Sequence, residues 1–143
     1  MALTPVTFNL DEELAEDIVI IEALPKSSKT WALDFVNKRI GGRIDGDDAL
    51  RQYVHKALIT ARNRFLIYDD TYGSELEDLI GQDLTPDLLE TEIPRVVTEA
   101  LIYDDRIADI SDIEITRDSS DKLYVTFTVV KTDGGSIEAE VSI

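Results

Sequence analysis

Ile113-Glu114-Ile115-Thr116, Leu123-Tyr124-Val125-Thr126-Phe127-Thr128-Val129 and Ile137-Glu138-Ala139-Glu140-Val141-Ser142-Ile143 carry the pattern that decides the fold. Apolar and polar side chains alternate in each stretch, the period of a strand with one face buried and one in water. Asp118–Asp121 and Asp133-Gly134-Gly135 are turn signals between them. Strands joined so closely pair antiparallel, so the last third reads as a meander of two hairpins.

Upstream the period changes to 3.6. Ala49, Leu50, Tyr53, Val54, Ala57, Leu58 and Ala61 share one helical stripe, with Asp47 or Asp48 expected to cap its start. Arg62 and Arg64 are expected at its end, where cations complement the helix dipole. Ser74-Glu75-Leu76-Glu77 has the form of a capping box before a short helix ending at Gly81. Thr85-Pro86 opens a further helix, with Thr85 as cap and Pro86 at the first helical position, where its missing donor costs nothing. Its stripe is Leu88, Leu89, Val96, Val97, Ala100 and Leu101, and Pro94 predicts a kink or restart near Glu92.

Ahead of the helices, Trp31, Leu33 and Phe35 alternate with Ala32 and Asp34 as a half-buried strand. Gly41-Gly42 and Asp45-Gly46 mark turns, with Arg39–Ile44 a second short extended piece. The fold class is therefore α+β: an N-terminal strand, two to three helices, and a C-terminal three-stranded antiparallel meander packed on the helices. Residues 31–143 form one domain. Residues 1–30 read as an acidic N-terminal arm, with acids over Asp11–Asp17, an aliphatic run Ile18–Ile21, and a linker-like Pro25-Lys26-Ser27-Ser28-Lys29.

The 143 residues suit one domain, and 43 % apolar residues fill a core. Charge is lopsided, 30 acids against 14 basic residues, for a net −16. Such a surface is repelled by phosphate backbones and anionic lipid, so no nucleic acid and no membrane is expected as a partner. Without cysteine there is no disulfide scaffold, thiolate nucleophile or Cys-ligated zinc. Ile18–Ile21 is far shorter than the ~20 residues a membrane span needs. Met1-Ala2-Leu3-Thr4 lacks the basic flank of a signal peptide, so the chain is expected to be made and to fold in the cytoplasm.

Chemistry is hard to place. His55 is the sole histidine, which leaves no two-His metal site, and no Gly-x-Ser-x-Gly elbow accompanies it. A glycosidase acid needs a carboxyl in an apolar setting. Glu92 and Glu99 are the candidates, and they read better as helix-face ion-pair partners of Arg95 and Arg106. Asp45-Gly46-Asp47-Asp48 and Asp69-Asp70 do not follow the calcium-loop spacing, and no Gly-rich phosphate loop is present. No catalytic residue, metal or cofactor is expected.

A more specific signal lies in Ala57-Leu58-Ile59-Thr60-Ala61-Arg62-Asn63-Arg64-Phe65 and Ile67-Tyr68-Asp69-Asp70-Thr71-Tyr72-Gly73-Ser74-Glu75-Leu76-Glu77-Asp78-Leu79-Ile80-Gly81. Leu33-Asp34-Phe35, Asp45-Gly46 and Glu99-Ala100-Leu101-Ile102-Tyr103-Asp104-Asp105-Arg106-Ile107 belong with it. With these motifs in order, the chain resembles the XkdS-like proteins of contractile phage tails and defective prophage particles. These are relatives of the myophage baseplate wedge protein, once labelled lysozyme-like, that acts as sheath initiator. The resemblance covers about residues 28–143.

It implies that Thr60 and Arg62 stand in the family's Thr-x-Arg stretch and Tyr72-Gly73 in its Tyr-Gly turn. Asp105-Arg106-Ile107 falls at the wider family's Glu-Pro-Arg-Ile, with Arg106 as the motif arginine. Ala61, where relatives usually have Glu, and Asp104-Asp105, in place of Glu-Pro, depart from the pattern.

The implied function is structural: an inner baseplate wedge protein, in six copies, beside tail tube or hub proteins and other wedge proteins. Its sheet offers an edge on which the first sheath ring assembles. The implied place is the host cytoplasm during assembly and the baseplate of the virion or tail-like particle afterwards. A meander with unpaired edge groups suits that role, because a donated strand satisfies them. Ile110–Thr116 and Ile137–Ile143 are the candidate edges, with Ile137, Ala139, Val141 and Ile143 as partner-binding positions, and the resemblance adds Thr60, Arg62, Tyr72, Gly73, Asp105 and Arg106 to the partner-binding set. On this reading proline at Val141 removes an edge donor and leaves much of the fold. The rivals are a peptidoglycan-cleaving lysozyme-like enzyme and an acidic mimic of DNA.

Overall fold

β1 (Thr30–Asp34) and β2 (Arg39–Ile44) pair antiparallel as a two-stranded sheet in the computed structural model, which describes residues 27–118 and 122–143. The Asp11–Asp17 and Ile18–Ile21 expectations, and most of the Asp118–Asp121 turn, lie outside the described residues. The hairpin turns at residues 35–38, not at Gly41-Gly42. Asp34 makes the turn: its carboxylate accepts the Val36 and Asn37 N–H groups at 3.1 and 3.0 Å. Those donors, Asn37 foremost, hold its carboxyl below the ordinary aspartate value. Gly41-Gly42 lies inside β2, beside the register shift between Trp31 and Leu33, where a Cβ on Gly41 would come 3.4 Å from that of Ala32. Phe35 falls outside β1 and rests on His55, ring centroids 4.6 Å apart.

α1 (Gly46–Ile59) is capped by Asp45, whose carboxylate accepts the Gly46 N–H at 2.8 Å. Asp47 and Asp48, the expected caps, sit in the first turn instead. Ala49, Leu50, Val54, Ala57 and Leu58 are buried as the stripe predicts, while Ala61, Arg62 and Arg64 lie beyond the helix end. Gln52 ties α1 to the hairpin. Its amide oxygen accepts the Leu33 N–H at 2.7 Å and its amide nitrogen donates to the Trp31 carbonyl at 2.8 Å.

α2 (Leu76–Ile80) begins without the capping box. The Ser74 hydroxyl donates to the Leu58 carbonyl at 2.6 Å, and Glu77 is taken by Arg64 at 2.7 Å. α3 (Pro86–Leu101) runs through Pro94 with no restart. A proline there removes one donor, which burial of Ile93, Val96, Val97, Ala100 and Leu101 offsets. Leu88, expected in that stripe, is exposed.

β3 (Ile107–Arg117), β4 (Leu123–Lys131) and β5 (Ser136–Ser142) form the antiparallel sheet β3-β4-β5. α1 packs on β5 and α3 on β3. Val125, Phe127, Val129, Ile137 and Val141 close the core against Leu50, Val54, Val97 and Leu101. The α+β reading and the meander on helices therefore hold.

Candidate partner-binding sheet edge

The order β3-β4-β5 makes both predicted segments edges, and they differ in what they offer. Along β5 the pairing with β4 runs from Tyr124 opposite Ser142 to Val130 opposite Ser136 without a shift. Leu123 and Ile143 exchange N–H···O bonds at 3.0 and 2.8 Å, and Lys131 donates to Gly135 at 2.7 Å. Hydrogen-bonded pairs recur every second residue in such a ladder. Val125/Val141, Phe127/Ala139 and Val129/Ile137 are therefore the bonded pairs. The N–H and C=O groups of Ser136, Glu138, Glu140 and Ser142 point away from β4, and among the described residues nothing meets them. Their side chains are exposed, while Ile137 and Val141 are buried.

This corrects one expectation. The backbone groups of Ile137, Ala139, Val141 and Ile143 are committed to β4. Proline at Val141 removes an internal donor and not an edge donor. The edge donors are one residue away.

β3 is the more broken edge. Its register shifts between Ile107 and Asp109 and again between Ser111 and Glu114, and Asp112 has φ +52°. Such bulges twist an edge out of pairing geometry. Ile110 faces Val129, whose bonds go to β5, so the Ile110 N–H points outward; the Asp109 carboxylate accepts it at 2.8 Å.

The outer face of the sheet is acidic. Glu114, Thr126 and Glu140 form one row across it, and Ser111, Thr128 and Glu138 the next. Asp112 joins them around a groove of about 480 Å³. Among the described residues no cluster suited to holding a metal ion is present, and no helix is long and apolar enough to cross a membrane.

Thr60, Arg62, Tyr72 and Gly73 come together elsewhere, in an internal clamp at the end of α1. Ser74 donates to the Thr60 carbonyl at 2.9 Å and Arg62 donates back to Ser74 at 3.0 Å, a short parallel bridge. The Arg62 guanidinium, with its side chain 9 % exposed, donates to the Gly73 carbonyl at 3.3 and 3.2 Å and lies 3.5 Å from Glu99 of α3. Gly73 is required by the approach: at φ +99°, a Cβ would stand 2.8 Å from the Thr60 oxygen. The Thr60 hydroxyl donates to the Lys56 carbonyl at 2.6 Å.

Tyr72 meets Tyr53 edge-on at 6.1 Å, and Arg106 lies 5.2 Å over the Tyr53 ring. Burial pushes the Tyr53 and Tyr72 hydroxyls above the ordinary phenol value. Arg106 is held by Asp104 at 2.8 Å, so its partner is not Glu99. That hydrogen bond raises the Arg106 guanidinium further. Asp105 is exposed beside it.

Glu92 and Glu99 both meet Arg95, at 2.6 and 3.0 Å, in ion pairs on the outside of α3. That is not the apolar pocket a general acid needs.

Sequence reasoning missed Glu138 and Glu140 as edge residues, and Asp109 as the cap on the other edge. The signal existed in Asp133-Gly134-Gly135. The length of that turn fixes which residues pair, and so which amides face out.

Two comparisons bear on this arrangement. Residues 27–134 match the family described as the contractile injection system sheath initiator. The chain is 42 % identical over 142 residues to the phage-like element PBSX protein XkdS of Bacillus subtilis (strain 168), covering 98 % of this chain and 95 % of that one.

Proposed function

The chain belongs to the contractile injection system sheath initiator family and is a structural component of a contractile tail, and from that premise we propose that the free edge of β5 receives an extended segment of a sheath subunit. The observation that carries this reading is the unbroken run of outward N–H and C=O groups at Ser136, Glu138, Glu140 and Ser142. An added strand satisfies them, giving affinity through the backbone. Ile137, Ala139, Val141 and Ile143 supply the apolar underside that fixes register.

Sheath and baseplate proteins are its associates, in a tail. In finer terms the protein occupies the inner baseplate in six copies, beside the tail tube or hub, after assembly in the host cytoplasm. Residues 1–30 are an acidic arm, tied to the domain at its end by Ser28 and Thr30, whose earlier part orders on a wedge or tube protein, and 31–143 are the working domain. Thr60, Arg62, Tyr72 and Gly73 hold the shape of that domain, and Asp105 and Arg106 contact a neighbouring wedge protein. The protein works without catalysis. Neither wall cleavage nor DNA mimicry draws support from the comparisons.

The test mixes the full chain with the sheath protein of its own particle. Glu140→Pro, which removes an outward donor only, is expected to abolish sheath recruitment with the thermal melt retained. Normal recruitment by a folded Glu140→Pro protein overturns the reading.

A further inference from the structure

We propose that the strand accepted by β5 is basic at every second position, carrying Lys or Arg above Glu138 and Glu140 and aliphatic residues on the opposite face. The inference rests on the proposed function and adds the chemistry of the partner segment.

Parity sets the pattern. A strand bonded to the N–H and C=O groups of Glu138 and Glu140 places alternate side chains on the acidic face and the others on the Ile137–Val141 face. Residues opposite Glu138 and Glu140 then stand ~5 Å away, Cβ to Cβ. At that distance like charges repel and opposite charges attract, so the acids select cations at i and i+2. Asp112 and Glu114, across the same groove, deepen the negative field on that face.

Among the described residues, Glu114, Glu138 and Glu140 have no ion pair, whereas Arg51, Arg62, Arg64, Arg95, Arg106 and Lys131 are each held by acids elsewhere. Residues 1–25 contain no Lys or Arg, and Lys26 and Lys29 stand three apart, so the arm lacks the alternating pattern. A second copy would set Glu138 and Glu140 against the same acids. The occupant is therefore another protein's basic, alternating segment.

The test uses the full chain and fluorescent peptides of about eight residues, a usual strand length. Valine alternates with lysine, threonine or glutamate, and a scrambled peptide of the lysine composition controls for general attraction to a chain of net charge −16. The alternating lysine peptide is expected to bind about tenfold tighter than the threonine one, as two favourable cross-strand pairs allow. The glutamate and scrambled peptides bind weakest.

In Glu138→Lys/Glu140→Lys the order inverts, with circular dichroism unchanged. No binding of the lysine peptide, equal affinity for lysine and threonine, or an unchanged order in the reversed variant overturns the proposal. Glu140→Pro separates the two levels. If it removes binding of every alternating peptide while the charge order fails, the edge reading survives and the charge inference falls. If it binds like wild type, both fall.

Discussion

Val141 and Val125 face each other as a bonded pair across β5 and β4, while Glu140, one residue earlier, turns its N–H to the open edge. Amide exchange should record that alternation directly. The amides of Ile137, Ala139 and Val141 are expected to exchange slowly and those of Glu138 and Glu140 fast, because only the first set is bonded within the sheet. Equal protection of all five amides would refute the assignment.

Proline tests the same parity by stability. Val141→Pro strands the Val125 carbonyl in the core and is expected to destabilise the domain by about 1–3 kcal/mol. Glu140→Pro breaks no internal bond and should cost clearly less. Denaturant melts of the two variants decide it.

Gly73→Ala is expected to destabilise by about 1–3 kcal/mol from backbone conformation alone. The approach of its Cβ to the Thr60 carbonyl, 2.8 Å, adds to that. The loss should show as a lower melting temperature together with exposure of the Arg62 clamp to proteolysis.

Leu58→Ala and Leu101→Ala each empty a fully packed position between helix and sheet. Each is expected to cost ~2–5 kcal/mol. A smaller loss in urea unfolding would mean that the site collapses around the missing atoms.

The α1 cap gives a pH dependence. The Ser28 hydroxyl, then the Gly46 N–H, hold the Asp45 carboxyl below the ordinary aspartate value. A depressed carboxyl contributes its stability above the unfolded-state value and loses it as pH falls through the folded-state value. Asp45→Asn keeps an acceptor without a titrating proton. The stability gap between wild type and Asp45→Asn is thus expected to shrink on acidification below about pH 4. A gap constant from neutral pH to pH 2 would count against it.

The parts of the fold that depend on side-chain periodicity were legible from sequence: the stripe of α1, the alternation of β3, β4 and β5, and the proline start of α3. Local hydrogen-bond choices were not. Ser74 has the spacing of a cap, yet its hydroxyl goes to Leu58 because burial at the chain crossing leaves that carbonyl needing a donor. Asp34 outcompetes Gly41-Gly42 for the hairpin turn by accepting two amides, which a glycine pair cannot do. The edge itself was half legible. Alternation names the faces of a strand, but the direction of each N–H depends on pairing phase, which Glu138 and Val141 do not carry individually.

The contrast between the shifted register of β3 and the unshifted register of β5 has a mechanical corollary. A sheet lengthened from β5 alone is a polar seed: material adds to it from a single side. Copies arranged in a ring would all present that flank in the same rotational sense. The handedness of whatever is laid down first would then be inherited from the smoother strand.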